Sequence, residues 1–541
     1  MIQKDFVHTQ GKDIIDPQGN KLMLRGVGLG SWMLPEGYMW RFPNQGDRPR
    51  KIKKVIASLI GEEDARTFWQ RYYRNYIAKA DIDKIADDGF NSVRIPLLWR
   101  FLMDENRNIN EDHWKILDDI INHCDRRNVY VILDLHGAPG GQTGANIDDC
   151  ENDFPELFTS VTYQDQTVFL WKEIATRYRN SQIIACYDLL NEPVPEFHGQ
   201  VNDQVYPFYD RLIKEIRSVD PYHMISLEGI HWSTDWSIFT HKLDENVLYQ
   251  FHKYWNRPDA ESLKKYLDLR EKWDVPIFMG EGGENNKEWY CGAFAMYEDL
   301  DISWNFWTYK KMDTTNSMVS VRRPKDWHRL TEYMEKGTEL SKEDAQGILD
   351  EYLENLKLEN CVLVDEVVNS LFRRPDIEIP AIFYSWDQEA RIQNSRNLNV
   401  GFRVDDGRDI IFVQGDRDKP NFAHGGGASW NEDEWLCVRT QSNESLNYWF
   451  TCRKAMRVAL CVDVIVNTVS KVNLTVNDKT SEMNLNQLGR QFVDGAVIEV
   501  PDGKSSILIH VLEGDVQWIS IKIKKVSDDF NHQHHPRRNT L

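Results

Sequence analysis

Two glutamates stand just past short apolar runs and could act as a pair. Glu192 follows the run 184–190 in Asn191-Glu192-Pro193, and Glu281 follows the run 276–279. Two carboxylates facing each other over a bound ligand can cleave a glycosidic bond. One gives a proton to the leaving oxygen, and the other attacks the anomeric carbon or activates water. Carboxylates about 5–5.5 Å apart imply retention of configuration, and a wider gap implies inversion. Polar and titratable groups recur at the same place in the pattern: Arg94 after Val93, His136 after Leu135, Glu228 after Leu227, His252 and Tyr254 after Gln250. A barrel selected for stability alone needs no such groups at one end of strand after strand. Either glutamate alone equally fits a helix cap, and His136 or Arg94 alone equally fits the core. The combination points to catalysis.

These residues need elements to hold them. Eight apolar runs, at 22–28, 92–95, 130–135, 184–190, 224–227, 247–250, 276–279 and 302–306, are mostly separated by amphipathic stretches, near 51–75, 111–126, 166–179 and 203–218. Continuous runs such as Val129-Tyr130-Val131-Ile132-Leu133 suit a sheet buried on both faces. Eight such units within the first 330 residues predict an α/β fold, a (β/α)8 TIM barrel with its site at the C-terminal ends of the strands. Strands four and seven lie across such a barrel, so Glu192 and Glu281 can face each other. Turns at Gln10-Gly11 and Pro17-Gln18-Gly19-Asn20 predict an N-terminal hairpin over 6–24. Residues 331–372 are charged with helical period and read as a connector. From 373 to 527 the period becomes two, which predicts a C-terminal antiparallel β-sandwich, jelly-roll-like. The polar tail 528–541 reads as a disordered terminus.

Composition narrows the function. Lys and Arg number 65 against 85 Asp and Glu, a net charge of −20, which argues against a phosphate-backbone ligand, so no nucleic-acid partner is expected. No run of about 18 apolar residues exists, so no membrane span is expected. The N-terminus has no apolar signal region. A cytoplasmic protein, or a secreted or periplasmic one with its signal removed, both fit. Eight cysteines without a CxxC pair read as reduced thiols scattered through a core. No HExxH or EF-hand loop is present, and neither metal nor organic cofactor is expected. Gly26-Val27-Gly28-Leu29-Gly30 lacks the spacing of a dinucleotide-binding loop, and His424-Gly425-Gly426-Gly427 has no accompanying G-x-S-x-G. A monomer or small homo-oligomer is expected.

The ordered set Arg94, His136, Asn191-Glu192-Pro193, His252-x-Tyr254, Glu281 and Trp307 resembles glycoside hydrolase family 5, within the retaining (β/α)8 glycosidases. The resemblance runs from Arg25 to Trp307. Leu135-His136-Gly137-Ala138-Pro139-Gly140 looks most like the exo-β-1,3-glucanase and glycosylceramidase-like branches, whereas residues 141–149 depart from the exo-glucanase pattern. The resemblance implies that Glu192 is the acid/base and Glu281 the nucleophile. It further implies that Asn191 binds the sugar 2-hydroxyl, that His136 and His252 bind hydroxyls or orient the carboxylates, and that Trp307 stacks on the sugar. Arg94 and Tyr254 would keep Glu281 ionised.

The resulting expectation is a retaining β-glycoside hydrolase acting on a β-glucan-like or related carbohydrate. Long loops after strands one and three, 33–51 and 137–165, predict a cleft walled at one end, hence exo-action or short glycosides. Of the 19 tryptophans, Trp32, Trp232, Trp255, Trp304 and Trp307 follow predicted strands and are assigned to the cleft, although residues placed like Trp255 and Trp304 more often pack than serve as platforms. Trp69, Trp114, Trp171 and Trp273 lie on helices and are assigned to packing. Glu228 reads as a partner of the catalytic groups, and Glu284 with Asp148 and Asp149 as outer-subsite residues. Two other readings compete. A non-catalytic glycan-binding barrel would have lost one of the two glutamates. A metal-dependent barrel hydrolase would carry His-x-His after strand one, where Gly28-Leu29-Gly30-Ser31-Trp32 stands. The sandwich fits either glycan binding or a purely structural role.

Overall fold

The computed structural model describes residues 5–43, 48–386 and 400–526, apart from positions 405, 407, 416 and 418; the expected 528–541 tail lies outside these. The chain forms two compact units. The first comprises Met1–Tyr254, Leu263–Glu284 and Asp301–Val364, and the second Trp255–Ser262, Asn285–Leu300 and Asp365–Leu541.

The first unit is a closed barrel of eight parallel strands. They are β1 (Arg25–Gly28), β2 (Ser92–Leu98), β3 (Tyr130–Gly137), β4 (Ile184–Asp188), β5 (Met224–Glu228), β6 (Val247–His252), β7 (Ile277–Gly283) and β8 (Ser303–Trp307). Neighbours in sequence are neighbours in space, and β8 closes on β1 with Trp304 opposite Arg25. Helices Glu111–Arg127, Val161–Tyr178, Asn202–Arg217 and Lys264–Trp273 return the chain between strands. Each of these crossovers is required because parallel neighbours cannot be joined by a tight turn.

Two departures from the sequence pattern matter for function. Strands β3, β6 and β7 run past their apolar runs, so His136, His252 and Glu281 are themselves strand residues. Strand β4 instead stops at Asp188, and Glu192 sits in the loop beyond it. Apolarity marks where a strand is buried among its neighbours. Backbone pairing continues beyond it as long as polar side chains find partners inside the barrel.

Side chains on a strand alternate between faces. On β3 this places Ile132, Asp134 and His136 on one face, and on β6 Leu248, Gln250 and His252. Ile132 and Leu248 belong to an apolar plug with Val7, Ile14, Leu24 and Phe278, so the N-terminal hairpin His8–Gln10/Asp13–Ile15 seals one end of the barrel. Asp134, His136, Gln250 and His252 follow on the same face toward the other end. The barrel interior therefore changes from oil to charge along its axis.

The second unit is built on an antiparallel sheet. Two long strands, Met456–Val476 and Gly503–Lys525, pair with each other, and register shifts between Asp463 and Val472 break their ladder. Gly489–Val500 joins the first half of Met456–Val476, and Lys479–Leu485 joins its second half. Bulged strands shared between two halves are how a sheet folds over into a sandwich. All eight cysteines are unpaired, and six of them are buried. No helix among the described residues is long and apolar enough to cross a membrane.

Gly280 on β7 allows the barrel interior to fill. A Cβ there would lie 1.8 Å from Gln250 Oε1. Gly280→Ala is expected to destabilise the fold by about 1–3 kcal/mol through overpacking, and to displace Gln250 from its polar partners. A lowered thermal midpoint with parallel loss of activity checks this.

Candidate active site

The polar end of the barrel is organised around Arg94. Its guanidinium is fully buried and reaches Asp188 (Nε–Oδ2 2.8 Å), Asp134 (Nη2–Oδ2 3.2 Å), Glu228 (Nη2–Oε1 3.0 Å) and Glu281 through Nη1. Nη2 also donates to Asn191 Oδ1 at 2.9 Å. A planar, permanently charged fork is suited to holding several carboxylates at fixed angles.

Glu281 and Glu192 are placed in different environments. Glu281 accepts from the Tyr254 hydroxyl at 2.6 Å and faces Arg94, with His252 Nδ1 at 3.6 Å and His136 Nδ1 at 4.0 Å. Burial alone would raise its pKa, but His252, Arg94, His136 and the Tyr254 bond together hold it below the ordinary glutamate value. Glu192 shares a 2.7 Å hydrogen bond with His252 Nδ1. Burial there outweighs the histidine, and the negative charges of Glu281 and Glu228 add to it, so the Glu192 pKa is raised. One oxygen of Glu192, Nδ1 or Nε2 of His252 and one oxygen of Glu281 all lie within 4.8 Å of one another. The two glutamates thus face each other, one held ionised and the other biased toward its acid form.

The remaining site charges fit this division. His136 Nδ1 bonds Asp134 at 2.7 Å, and although burial opposes it, Asp134 and Glu281 raise the imidazole pKa to about 9. His252 is raised well above its ordinary value by Glu228 and Glu281 against burial. Glu228 is fully buried, yet His252 and Arg94 lower it to about 2. Its Oε2 accepts the backbone N–H of Glu192 at 2.7 Å, and Gln250 Nε2 donates to its Oε1. Glu228 therefore holds the backbone of the residue opposite Glu281. That backbone is itself left-handed, with φ +45° at Glu192 and +52° at Val194. Gln142 secures the same loop, donating to the carbonyls of His136 (2.7 Å) and Asn191 (3.0 Å) while its own carbonyl accepts Val194 N–H (3.0 Å).

The loop after β1 supplies groups that no sequence motif marked. Glu36 is 4% exposed, and its Oε1 has no hydrogen-bond partner among the described residues. Burial, with the nearby charges of Glu281, Glu284 and Glu192 outweighing His136, raises its pKa to about 8. Tyr38 accepts the indole N–H of Trp307 at 3.0 Å, and the Trp307 ring lies parallel to His136 with centroids 5.3 Å apart. Trp307 fits here because a Cβ on Gly28 would stand 2.5 Å from its ring. Lys311 pairs with Glu284 at 2.5 Å.

Arg94, His136, Asn191, Glu192, His252, Tyr254, Glu281 and Trp307 are thus brought to one end of the barrel. Trp32 is not in the cleft. It is fully buried, and its indole donates to the Tyr73 carbonyl at 2.7 Å, so it packs the core behind the first loop. Trp304 is fully buried as well, edge-on to Phe90. Trp232 is half-buried on the rim, and Trp255 is 55% exposed and belongs to the second unit. Asp148 and Asp149 are spent on structure: Asp148 accepts from Thr143 N–H and hydroxyl at 2.8 Å each, and Asp149 accepts Arg50 N–H at 2.9 Å. The residues missed from sequence are Asp134, Asp188, Gln250, Gln142, Glu36 and Tyr38. Asp134 and Gln250 carry a legible signal, since each precedes a site histidine by two and shares its face. Glu36 and Gln142 carry none, because loop residues have no periodicity.

On distance alone, Asp134 with His136 and Glu281, or Glu192 with His252 and Glu281, could hold a cation. In both sets the imidazole meets a carboxylate through Nδ1, at 2.7 Å from Asp134 in the first and 2.7 Å from Glu192 in the second.

Two outcomes follow. Arg94→Met leaves buried carboxylates without their cation and is expected to cost about 3–5 kcal/mol or prevent folding, read by chemical denaturation. Glu36 keeps its proton to about pH 8 in the folded chain but loses it near 4.5 when unfolded, so the folded state binds more protons between these values. Stability from this group is therefore full below 4.5 and declines as pH rises to 8. Glu36→Gln should flatten that part of the Tm–pH curve, most visibly as a relative gain above pH 7.

The chain is similar to several known proteins. Residues 56–313 match the family model "Cellulase (glycosyl hydrolase family 5)". A beta-xylosidase of Phanerodontia chrysosporium is 31% identical over 356 residues, covering 59% of this chain and 73% of the relative. A probable glucan 1,3-beta-glucosidase A of Aspergillus clavatus is 27% identical over 254 residues, covering 46% of this chain and 59% of the relative. Among solved structures, an endogalactoceramidase covers 95% of this chain at 13% identity and a TM-score of 0.46. This chain belongs to glycosyl hydrolase family 5 and is a glycosidase.

Proposed function

We propose that the protein hydrolyses β-glycosides with net retention of configuration, removing single terminal sugars. The observation that carries this reading is the facing of Glu192 and Glu281 within 4.8 Å in opposite electrostatic settings. Glu192 protonates the glycosidic oxygen as Glu281 attacks the anomeric carbon. The aglycone leaves with its oxygen protonated, and a glycosyl ester forms on Glu281. Glu192, now ionised, takes a proton from water, which attacks the same carbon and frees Glu281. Tyr254 and Arg94 hold the Glu281 oxygens in place. His252, charged and shared by both glutamates, stabilises whichever of them carries the negative charge. Asn191, fixed by Arg94, faces the sugar 2-hydroxyl, a contact that strengthens as charge develops on the ring.

Terminal attack is supported by the clasp between the loops after β1 and β3. Arg48 donates to the Cys150 carbonyl at 2.9 Å and pairs with Asp153, while Arg50 pairs with Glu151 at 2.7 Å. Joined loops of this kind wall one end of a cleft. The relatives' names, a xylosidase and a glucan glucosidase, direct the choice of sugar to xylose or glucose.

Aryl β-D-glucosides and β-D-xylosides, with their α-anomers as controls, test the reading. Wild type should cleave a β-anomer, with the β-sugar appearing first by NMR. Glu281→Ala should be inactive, and Glu192→Ala should lose on the order of 10²–10⁴ in rate on substrates with poor leaving groups. Full activity in Glu281→Ala, or the α-sugar as first product, overturns the assignment. Rapid viscosity loss of a β-glucan would overturn terminal attack.

A further inference from the structure

Within the second unit, one edge of the antiparallel sheet exposes more apolar surface than folding requires. Among the described residues nine large apolar side chains are exposed, and three of them, Leu488, Phe492 and Val497, fall within ten residues on or beside the strand Gly489–Val500. Leu488 and Phe492 are each 61% exposed, and Val497 is 48% exposed. The Phe492 ring lies beside two cations, Lys522 Nζ at 5.3 Å and the Arg490 guanidinium at 6.0 Å from its centroid. Apolar side chains gathered in this way on a polar rim mark a contact surface.

The backbone of this strand is open on one side. Among the described residues Gly489–Val500 pairs only with Met456–Val476. It is twelve residues long and contains neither proline nor lysine. Sheet edges are commonly blunted by those residues or by being kept short, because an open edge templates another strand. The ladder to Met456–Val476 is regular from Gly489 to Asp494 and shifts register beyond it. The stretch that can receive a straight partner is therefore short and centred near Phe492.

The side chains of that stretch are complementary to themselves. Arg490, Phe492 and Asp494 alternate onto one face, and all three are exposed. If a second copy runs antiparallel with Phe492 opposite Phe492, Arg490 of each copy faces Asp494 of the other. Every other register with its twofold axis between Arg490 and Asp494 loses both ion pairs, and an axis on either of those residues sets like charges opposite each other. Opposite charges stabilise directly facing positions on paired strands, and like charges destabilise them. Arg490 holds Asp463 through Nε at 3.2 Å and Nη2 at 2.8 Å, which fixes the guanidinium on the sheet and leaves Nη1 for a second carboxylate. One patch meeting itself about a twofold axis is the commonest way that two identical chains join.

We propose that two copies of this chain associate through this edge, their Gly489–Val500 strands pairing antiparallel about Phe492 with reciprocal Arg490–Asp494 ion pairs. A contact of this length falls short of the roughly 1,200–2,000 Å² of stable complexes, so the dimer is weak, with a Kd on the order of tens of micromolar.

Sedimentation velocity of the full chain from about 1 to 300 µM tests the association, and wild type should pass from monomer to dimer across that range. Asp494→Arg sets positive charge opposite Arg490, and Phe492→Lys sets two cations on the axis. Each should weaken the dimer by about tenfold or more. Oxidative cross-linking reads the register. Facing residues of an antiparallel pair have Cα atoms about 4.5–5.5 Å apart, within reach of a disulfide. Phe492→Cys should therefore give a covalent dimer above the wild-type background. Ala496→Cys should not, since it lies about 27 Å along the pair from its own copy. Positions 492, 494 and 496 are all exposed, so these variants keep the fold. A wild-type monomer at every concentration, undiminished association of Asp494→Arg, or cross-linking of Ala496→Cys as ready as that of Phe492→Cys overturns the proposal.

Discussion

A single buried guanidinium sets the terms for the rest of the barrel. Arg94 is inaccessible to solvent and touches Asp134, Asp188, Glu228 and Glu281. A cation so placed is tolerable only if anions surround it, and those anions are tolerable only because it is there. The mutual dependence fixes side chains from strands β2, β3, β4, β5 and β7 around one point. Charges that would repel or seek water are thereby held at the end of an otherwise apolar cylinder.

The same constraint separates the two glutamates. Acids crowded into one dry space cannot all ionise, and their protons go where the local field is least positive. Asp188 is pushed well above its usual range by burial despite Arg94, and Glu36 and Glu192 are raised by burial and by the negative charges near them. Glu281 and Glu228, close to Arg94 and to the charged His252, stay anionic. The difference between the acid biased toward its protonated form and the one held ionised is thus a difference of position in one field. It depends on His136 and His252 remaining charged, and both are kept so by the carboxylates they serve.

Strain concentrates where the chain leaves the barrel. Ser31 after β1, Glu192 and Val194 after β4, the run His231 to Ser233 after β5 and Glu284 after β7 all have positive φ. Each lies within a few residues of a strand end at the catalytic face. A regular barrel with a packed interior can enforce such conformations because the strands cannot yield.

The eight-fold alternation of apolar runs and helices, the glutamate pair and most of the cluster around it were legible in the chain because their signals are local. Strand apolarity, Asn-Glu-Pro and the residues after each run are all short-range patterns. The platform tryptophans were not legible as a group. Trp32 lies in the loop after β1 and fills the core, whereas Trp307 ends β8 and lies parallel to His136; the pleat fixes where a strand residue points, but which way a loop turns is decided by what it packs against. Glu36 and Gln142 were invisible for the same reason: their roles come from neighbours distant in sequence. By itself the sequence determined the barrel, the presence of two carboxylates at strand ends and the charge available around them. Only the tertiary structure decided which acids keep their protons, since that depends on burial and on the distances among Arg94, His136, His252 and the carboxylates, and a linear chain contains neither.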